Sequence, residues 1–555
     1  MLFLRTLAGN FRLDPVGPRL GRGSVRQVAS KIFLFAFAAL ALSRTLSAAP
    51  PPPCATCHRV AAERYLATAM GKSFSAPGPY PGGTVTHESS GSVITIENTN
   101  NVMTHRLVER GIAAEFPVKY QIGGGMMGST FAVQVHDYLL ESPVSWYNGF
   151  GWDVSPGYGK SRILDFDRSL NNTCLFCHAT GAKFDDPDHR HLVSQDLQPI
   201  TCERCHGPGE KHAAHPSSKN IVNPAKLSGP ARDSICEQCH LEGAARLLNP
   251  GKDWGDFHPG GKTEDSFAVY LLEGGDNRDV IPASEVEQLG QSTCATVSHG
   301  KLWCGSCHNP HRAVVPRDQE IKAICASCHR KLSPAAHPAT VSECTSCHMP
   351  TRATTFVAHA AHTDHRILKN RDSVSGPQDA TEKMVAWREP PAALRQRNLG
   401  LGELMLSPPE KYEAQRRDGA NLLLSLPAEQ RDHDPDVISA LEGYYSQSGD
   451  LAKAMDFGAQ LVGVNPKSAT AEFNFAVILD QSGRPEDAEK EFLKAISLDP
   501  SLKDAYSHLA ILYIKQDRRQ DAINVMDRYL EWNPNEILFH ASRERNLGKP
   551  QPDPQ

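Results

Sequence analysis

The sequence predicts a mainly α chain with much irregular structure, in which a cysteine- and histidine-rich region with a small inserted antiparallel β region precedes an α-helical solenoid. Three observations predict it. The string Cys-X-X-Cys-His occurs seven times. Between the first copy and the other six stand short runs of β-branched and aromatic residues punctuated by glycine. The C-terminal third repeats with a period of 34 residues.

The seven copies are Cys54-Cys57-His58, Cys174-Cys177-His178, Cys202-Cys205-His206, Cys236-Cys239-His240, Cys304-Cys307-His308, Cys325-Cys328-His329 and Cys344-Cys347-His348. They use fourteen of the fifteen cysteines and leave Cys294 over. Structural zinc would take two Cys-X-X-Cys knuckles per metal and would not require a histidine after each one. A thioredoxin-like pair would occur once, in a βαβ context, and a disulfide framework would not repeat one local spacing. The pattern is that of c-type haem attachment, in which two thiols add to the haem vinyl groups and the adjoining histidine ligates the iron. Seven copies imply seven covalently held haems c.

The N-terminus predicts the compartment. Lys31 precedes the apolar run IFLFAFAALAL, short for a membrane span, and small residues follow at Ser47, Ala48 and Ala49. Residues 1–49 therefore read as a cleaved secretory signal peptide, with an uncleaved anchor as the alternative, and place the haem motifs in the periplasm or otherwise outside the cytoplasm. Without that segment the chain carries a net charge of about −11. An acidic chain gives no support to a nucleic-acid partner and suits a redox partner with a basic patch, because opposite fields speed encounter.

Residues 50–370 form the expected heptahaem domain, with the β-rich insertion at about 84–150. SVITIEN, FPVKYQI, STFAVQVHDYLL and SPVSWYNGF supply its strands, and its expected role is to cover haem faces. Loops dominate the rest, with a helix around 284–289, since haem supplies apolar surface that a core would otherwise provide. Residues 371–405 read as a helical linker broken at Pro390 and Pro391.

Residues 406–545 are the solenoid, followed by a disordered tail at 546–555. Pro466, Pro500 and Pro534 recur at the 34-residue interval, as do Ala454, Ala488 and Ala522, and Gly449 and Gly483 are followed in register by Asp517. This is the tetratricopeptide period, one helix-turn-helix per repeat, with small residues at the close contacts and proline ending the second helix. Two strong repeats, 469–500 and 501–534, follow a weaker one at 436–466, and 410–426 supplies a capping helix or half repeat.

Whether an iron carries electrons or performs chemistry depends on its second axial position. Of the 24 histidines, seven are proximal and three lie in the C-terminal region. Fourteen remain for seven irons, enough for bis-histidine ligation throughout. His311 stands three residues beyond His308 and cannot reach round the same porphyrin, so it is expected to serve a neighbouring iron. The same holds for His212 and His215 after His206.

The strings QIGGGMMGSTF, SPVSWY, SPGYG, CERCHGPGEKH, NPAKL, CEQCHLEG, STCATVSHGKLWCGSCHNPH, CTSCHMP and HTDHRI together resemble bacterial extracytoplasmic multihaem cytochromes c with doubled CXXCH motifs and tetratricopeptide tails. More distantly, the chain is similar to the superfamily of hydroxylamine oxidoreductase and pentahaem nitrite reductase. The resemblance implies His87, His212, His311, His337, His359 and His365 as distal ligands. It also marks Met70, which would either complete the set of seven or pack against a porphyrin. No CXXCK of the nitrite reductases occurs, and no counterpart of the tyrosine cross-link of hydroxylamine oxidoreductases is identifiable. Cys294 reads as a buried small residue or as a sulfur beside a haem, and His299 as a spare ligand or a group beside an open site.

Three functions follow. The favoured one is an electron-transfer cytochrome whose repeats dock a redox partner. The second is a multihaem oxidoreductase acting on a small nitrogen or sulfur compound at one open-coordinate iron. The third is a scaffold within a membrane-associated respiratory complex. No acid, base or nucleophile constellation stands out, which favours the carrier.

Overall fold

Alternating apolar and polar residues from Phe74 to Val154 fold into nine antiparallel strands in the computed structural model. The structure describes residues 53–548 apart from 195, 275–282, 314–317, 331–336, 338–342, 355–356 and 370–381. The expected signal peptide, the start of the expected linker and most of the expected tail lie outside the described residues.

The strands are β1 (Phe74–Ser75), β2 (Gly83–His87), β3 (Ser92–Thr99), β4 (Val102–Glu109), β5 (Ile112–Ile122), β6 (Gly128–Val135), β7 (Tyr138–Glu141), β8 (Val144–Tyr147) and β9 (Gly151–Val154). Their order is β2-β3-β4-β5-β6-β8-β9, with β1 added on β5 and β7 on β6. Two-residue turns fix the register. Asn100 and Asn101 close β3 on β4, and Arg110 and Gly111 close β4 on β5, all four with positive φ, as the turn matched to strand twist demands. The sheet curls until β9 meets the segment entering β2. There Trp152 donates to the Pro81 carbonyl at 2.8 Å, and Gly83 sits where a Cβ would come within 2.6 Å of the Trp152 ring.

The curled sheet encloses its own core of Ile94, Ile96, Leu107, Phe116, Phe131, Val133 and Val144. The sheet is therefore larger and more closed than the small insertion expected at about 84–150. The inward residues of each strand bury against one another, which makes this a near-barrel that begins at Phe74 and ends at Val154.

The motif-rich region is built from short helices and two small sheets. Strands Ala245–Leu248, Phe267–Glu273 and Lys383–Ala386 pair antiparallel in that order, and Thr351–Ala353 pairs with Ala361–Thr363. The segment read as a linker does not act as one. Its described part supplies the edge strand Lys383–Ala386 and helix Arg395–Leu404, and Met384, Leu401 and Leu404 share a core with Leu423, Val437 and Leu441. Helix Arg395–Leu404 packs on Glu413–Leu424 through Gly400 and Gly419, each so close to the other that an added Cβ would meet its partner's carbonyl at about 3 Å. The expected capping helix is thus the second member of a helix pair.

Helices Pro435–Ser448, Leu451–Val464, Ala469–Gln481, Pro485–Leu498, Lys503–Lys515, Arg519–Trp532 and Ile537–Asn546 continue the solenoid. Gly449, Gly483 and Asp517, the residues in register, all end the first helix of their repeats in the left-handed region. Successive inter-repeat loops seat on the preceding domain. Asp188 accepts from Ser468 Oγ at 2.6 Å and from the Thr470 amide at 3.0 Å. Arg190 bonds Asp499 at 2.7 Å, and Asn535 Nδ2 donates to the Glu115 carbonyl at 2.9 Å. Lys503 reaches Asp165 and Asp167, and Ile537 enters the near-barrel core. Among the described residues, no helix is long and apolar enough to cross a membrane.

Candidate haem sites

All seven Cys-X-X-Cys-His motifs adopt one helical turn. The amide of the histidine donates to the carbonyl of the first cysteine in His58 (2.8 Å), His206 (3.0 Å), His308 (2.8 Å), His329 (2.9 Å) and His348 (3.0 Å). The motifs of His178 and His240 end helices Asn172–His178 and Gly229–His240. Positions i, i+3 and i+4 of such a turn share a face, so both thiols and the imidazole present to one group. Motifs also neighbour one another. The thiols of Cys54 and Cys202, Cys177 and Cys239, Cys236 and Cys304, and Cys325 and Cys344 stand near enough to influence each other's ionisation.

The histidines are oriented by their Nδ1 atoms. His206 donates to the Val222 carbonyl at 2.8 Å, His348 to Leu368 at 2.6 Å, His212 to Ser217 at 3.0 Å and His365 to Thr363 at 2.9 Å. His240 donates instead to a carboxylate, Glu285, at 3.1 Å. Donation from Nδ1 fixes the tautomer and leaves the Nε2 lone pair for a metal. Burial holds His178, His308 and His311 below the ordinary histidine range, which favours the neutral, coordinating form.

Four pairs of histidine rings lie near-parallel at one common separation. Their centroids are 6.2 Å apart for His58 and His212, 5.9 Å for His206 and His311, 6.2 Å for His308 and His365, and 6.1 Å for His337 and His348, with interplanar angles of 17° to 31°. A ring in face contact stands closer, as His359 does on Phe150 at 3.4 Å. With Nε2 about 1.1 Å from the ring centre and a metal–nitrogen bond of about 2.0 Å, two imidazoles on one metal have centres about 6.2 Å apart. The four separations fit an iron between each pair.

The remaining candidates are placed differently. His87 is buried at the end of β2, its Nδ1 bonded to Ser90 Oγ at 2.7 Å and its Nε2 without a partner among the described residues, a donor set that fits a metal. Met70 is half-buried in a short turn at which Gly124 packs against Ala69. His359 has its Nε2 on Asp153 at 2.6 Å, which engages that nitrogen and leaves the lone pair on Nδ1. His329 presents its turn, and Cys294 lies near Cys325. His299 is exposed, with positive φ. Sequence reasoning missed Glu285 and the carbonyls that orient the rings, because a backbone acceptor leaves no trace in side-chain spacing.

Comparison with known families gives three matches. Residues 158–207 match the model for cytochrome c554 and c-prime, residues 295–334 that for the doubled CXXCH motif, and residues 470–502 and 503–536 that for the tetratricopeptide repeat. The matches support a multihaem c-type cytochrome with tetratricopeptide repeats. They support covalently bound haem c, and with it haem-based electron transfer. They do not extend to hydroxylamine oxidoreductase or nitrite reductase.

Curated relatives match over short stretches. Human protein O-mannosyl-transferase TMTC1 is 23% identical over 124 residues, 21% of this chain and 14% of that protein. The TPR repeat-containing thioredoxin TTL4 of Arabidopsis thaliana is 29% identical over 89 residues, 16% of this chain and 13% of that protein. The chain thus spans about one seventh of these relatives. Among solved structures, the first TPR of Spaghetti (RPAP3) bound to an HSP90 peptide is 19% identical, covering 20% of this chain and 93% of its own, with a TM-score of 0.19. At that score the likeness adds nothing to the family match.

Proposed function

We propose that the chain is an extracytoplasmic, exported heptahaem c-type cytochrome that transfers electrons and docks a redox partner, within a membrane-associated respiratory complex or outside one, through its repeat domain. The four near-parallel histidine pairs carry this reading, because their separation suits two rings on one iron, and an iron with both axial positions filled exchanges electrons and has no site for a substrate. In it, His212 completes the iron of His58, His311 that of His206, His365 that of His308 and His337 that of His348.

The lending follows a pattern. The ring that serves His58 comes from six residues after His206, and the ring that serves His206 from three after His308. The rings that serve His308 and His348 come from seventeen residues after His348 and eight after His329. Successive irons therefore follow the order His58, His206, His308, His348, His329, a continuous route for electrons. His87, Met70 and, through Nδ1, His359 are the candidates for the irons of His178, His240 and His329. The second reading, an oxidoreductase with one open iron, is confined to those three, since no described ring faces them at the same separation.

Mass measurement of the exported protein tests the count of seven covalent haems. His212→Ala tests the ligation. It is expected to leave every haem attached while one low-spin signal in electron paramagnetic resonance turns high-spin. An unchanged low-spin spectrum in a fully loaded variant refutes the lending scheme. A high-spin iron in the unaltered protein that shifts on adding nitrite or hydroxylamine would favour the oxidoreductase.

A further inference from the structure

One helix touches the ligand segments of two haems. In Glu285–Gln291, Glu285 Oε2 accepts from His240 Nδ1 at 3.1 Å. Glu287 accepts from the amide of Gly243, three residues beyond His240, at 2.9 Å. Gln288 Oε1 accepts from the amide of His365 at 2.9 Å, and its Nε2 donates to Ser284 Oγ at 2.7 Å. Val286 and Gln288 are buried, so the helix is anchored on the face opposite solvent. Among ligand candidates with a described Nδ1 bond, the others donate to neutral oxygens, and only His240 meets a carboxylate.

Resting on the haem reading above, we propose that Glu285 is a positioning residue that sets the haem held by His240 apart electronically, by lowering its reduction potential below that of an otherwise equal haem whose histidine meets a carbonyl. A carboxylate on the outer ring nitrogen raises the basicity of the inner one. A more basic ligand stabilises the oxidised iron over the reduced iron, and second-shell hydrogen bonding is one of the protein's levers on potential. Glu285 does this without touching iron, and the bonds of Glu287 and Gln288 hold it in register. The haem held by His240 then takes up an electron less readily than it would beside a neutral acceptor and, once reduced, gives it up more readily.

The test is a potentiometric titration of the full-length, haem-loaded protein, followed in the haem absorption bands. Glu285→Gln, which keeps shape and removes charge, is expected to move one haem's share of the amplitude to higher potential with haem content unchanged. Glu285→Asp, which withdraws the carboxylate by one methylene, is expected to give a smaller shift in the same direction. Glu242→Gln, which removes an exposed charge two residues from His240 that bonds no ring, is expected to leave the curve in place. An unshifted curve in whichever Glu285 variant loads fully overturns the proposal, and so does an equal shift in Glu242→Gln, which would reduce the effect to net charge. A protein without covalent haem would instead sink the haem reading itself.

Discussion

Replacing Lys503 by Met tests how the solenoid is held to the rest of the chain. Lys503 opens a repeat helix, its side chain is only 10% exposed, and its Nζ lies 2.5 Å from Asp165, 2.8 Å from Asp167 and 3.8 Å from Glu536. Burial pushes Asp165 up, against the pull of Lys503, while the ammonium and its hydrogen bonds hold Asp167 below the usual carboxylate range despite burial. Removing this cation leaves the largely buried Asp165 and Glu536 and the part-exposed Asp167 without their shared counter-charge. Breaking a buried ion pair in this way costs about 3–5 kcal/mol, which for a chain of this size lowers the melting temperature by about 3–10 °C. The sign with pH is fixed. In the variant, the carboxylates have raised affinity for protons in the folded state, so stability falls as pH rises past their unfolded values near 4. The deficit against the unaltered protein is therefore largest at neutral pH and shrinks as pH approaches 4. Melting followed by circular dichroism at pH 7.5 and 4.5 measures it, and Asp165→Asn in the same chain should recover part of the loss. A variant that melts with the unaltered protein at pH 7.5, or whose deficit grows in acid, would refute the clasp.

Asp517 holds a left-handed conformation with φ of 59° where the two preceding repeats have glycine, so Asp517→Gly should raise stability by about 0.5–1 kcal/mol, read from denaturant unfolding of the full chain. Gly483→Ala should cost a similar amount, and equal midpoints for all three proteins would show that this turn is not strained. Glu442 is 2% exposed between repeat helices, and burial pushes its carboxyl up to about 8. Because that value is raised, the folded state holds the proton and stability is lost as pH rises from about 4.5 towards 8. Glu442→Gln should therefore stabilise by about 1–3 kcal/mol at pH 7 and have little effect at pH 4.5. A gain independent of pH would count against the buried acid.

What could be read in the sequence depended on how local each cause is. Haem attachment needs two thiols and an imidazole on one helical turn, so the spacing of Cys174, Cys177 and His178 contains the whole geometry. The solenoid was equally legible, since Gly449, Gly483 and Asp517 mark the same left-handed turn at a fixed interval. The near-barrel was underestimated because alternation reveals strands but not how far a sheet curls, and the contact of Trp152 with Gly83 joins positions with no shared pattern. The segment before 405 looked like a linker because Pro390 and Pro391 interrupt its periodicity, yet Leu401 and Leu404 face Leu423 across a helix pair. Among distal ligands, short-range exclusion pointed His212 and His311 away from their own irons, whereas His359, marked by resemblance alone, is bound to Asp153. Glu285 left no signal, because its partner lies 45 residues away.

These observations change what the cysteine-rich region is. Its apolar cluster contains Phe176, Ile235, Leu241, Trp254 and Phe267, with Cys177, Cys205 and Cys236 packed against it. These motif cysteines thus pack against the cluster while staying partly exposed, so a group attached to them would lie against the core. On the proposed ligation, rings lent from one motif to the iron of another would link separate segments, and helix Glu285–Gln291 adds hydrogen bonds between two of them. Folding and haem attachment are then coupled, as metal binding is coupled to folding where ligands come from distant positions. The near-barrel and the solenoid, which have cores of their own, provide the rigid frame on which that coupled region closes. The clasp through Lys503 and Arg190 fixes the spacing between them. It also occupies the inter-repeat loops at one edge of the solenoid, so a partner that docks on the repeats must use a different face from the one the chain has already taken for itself.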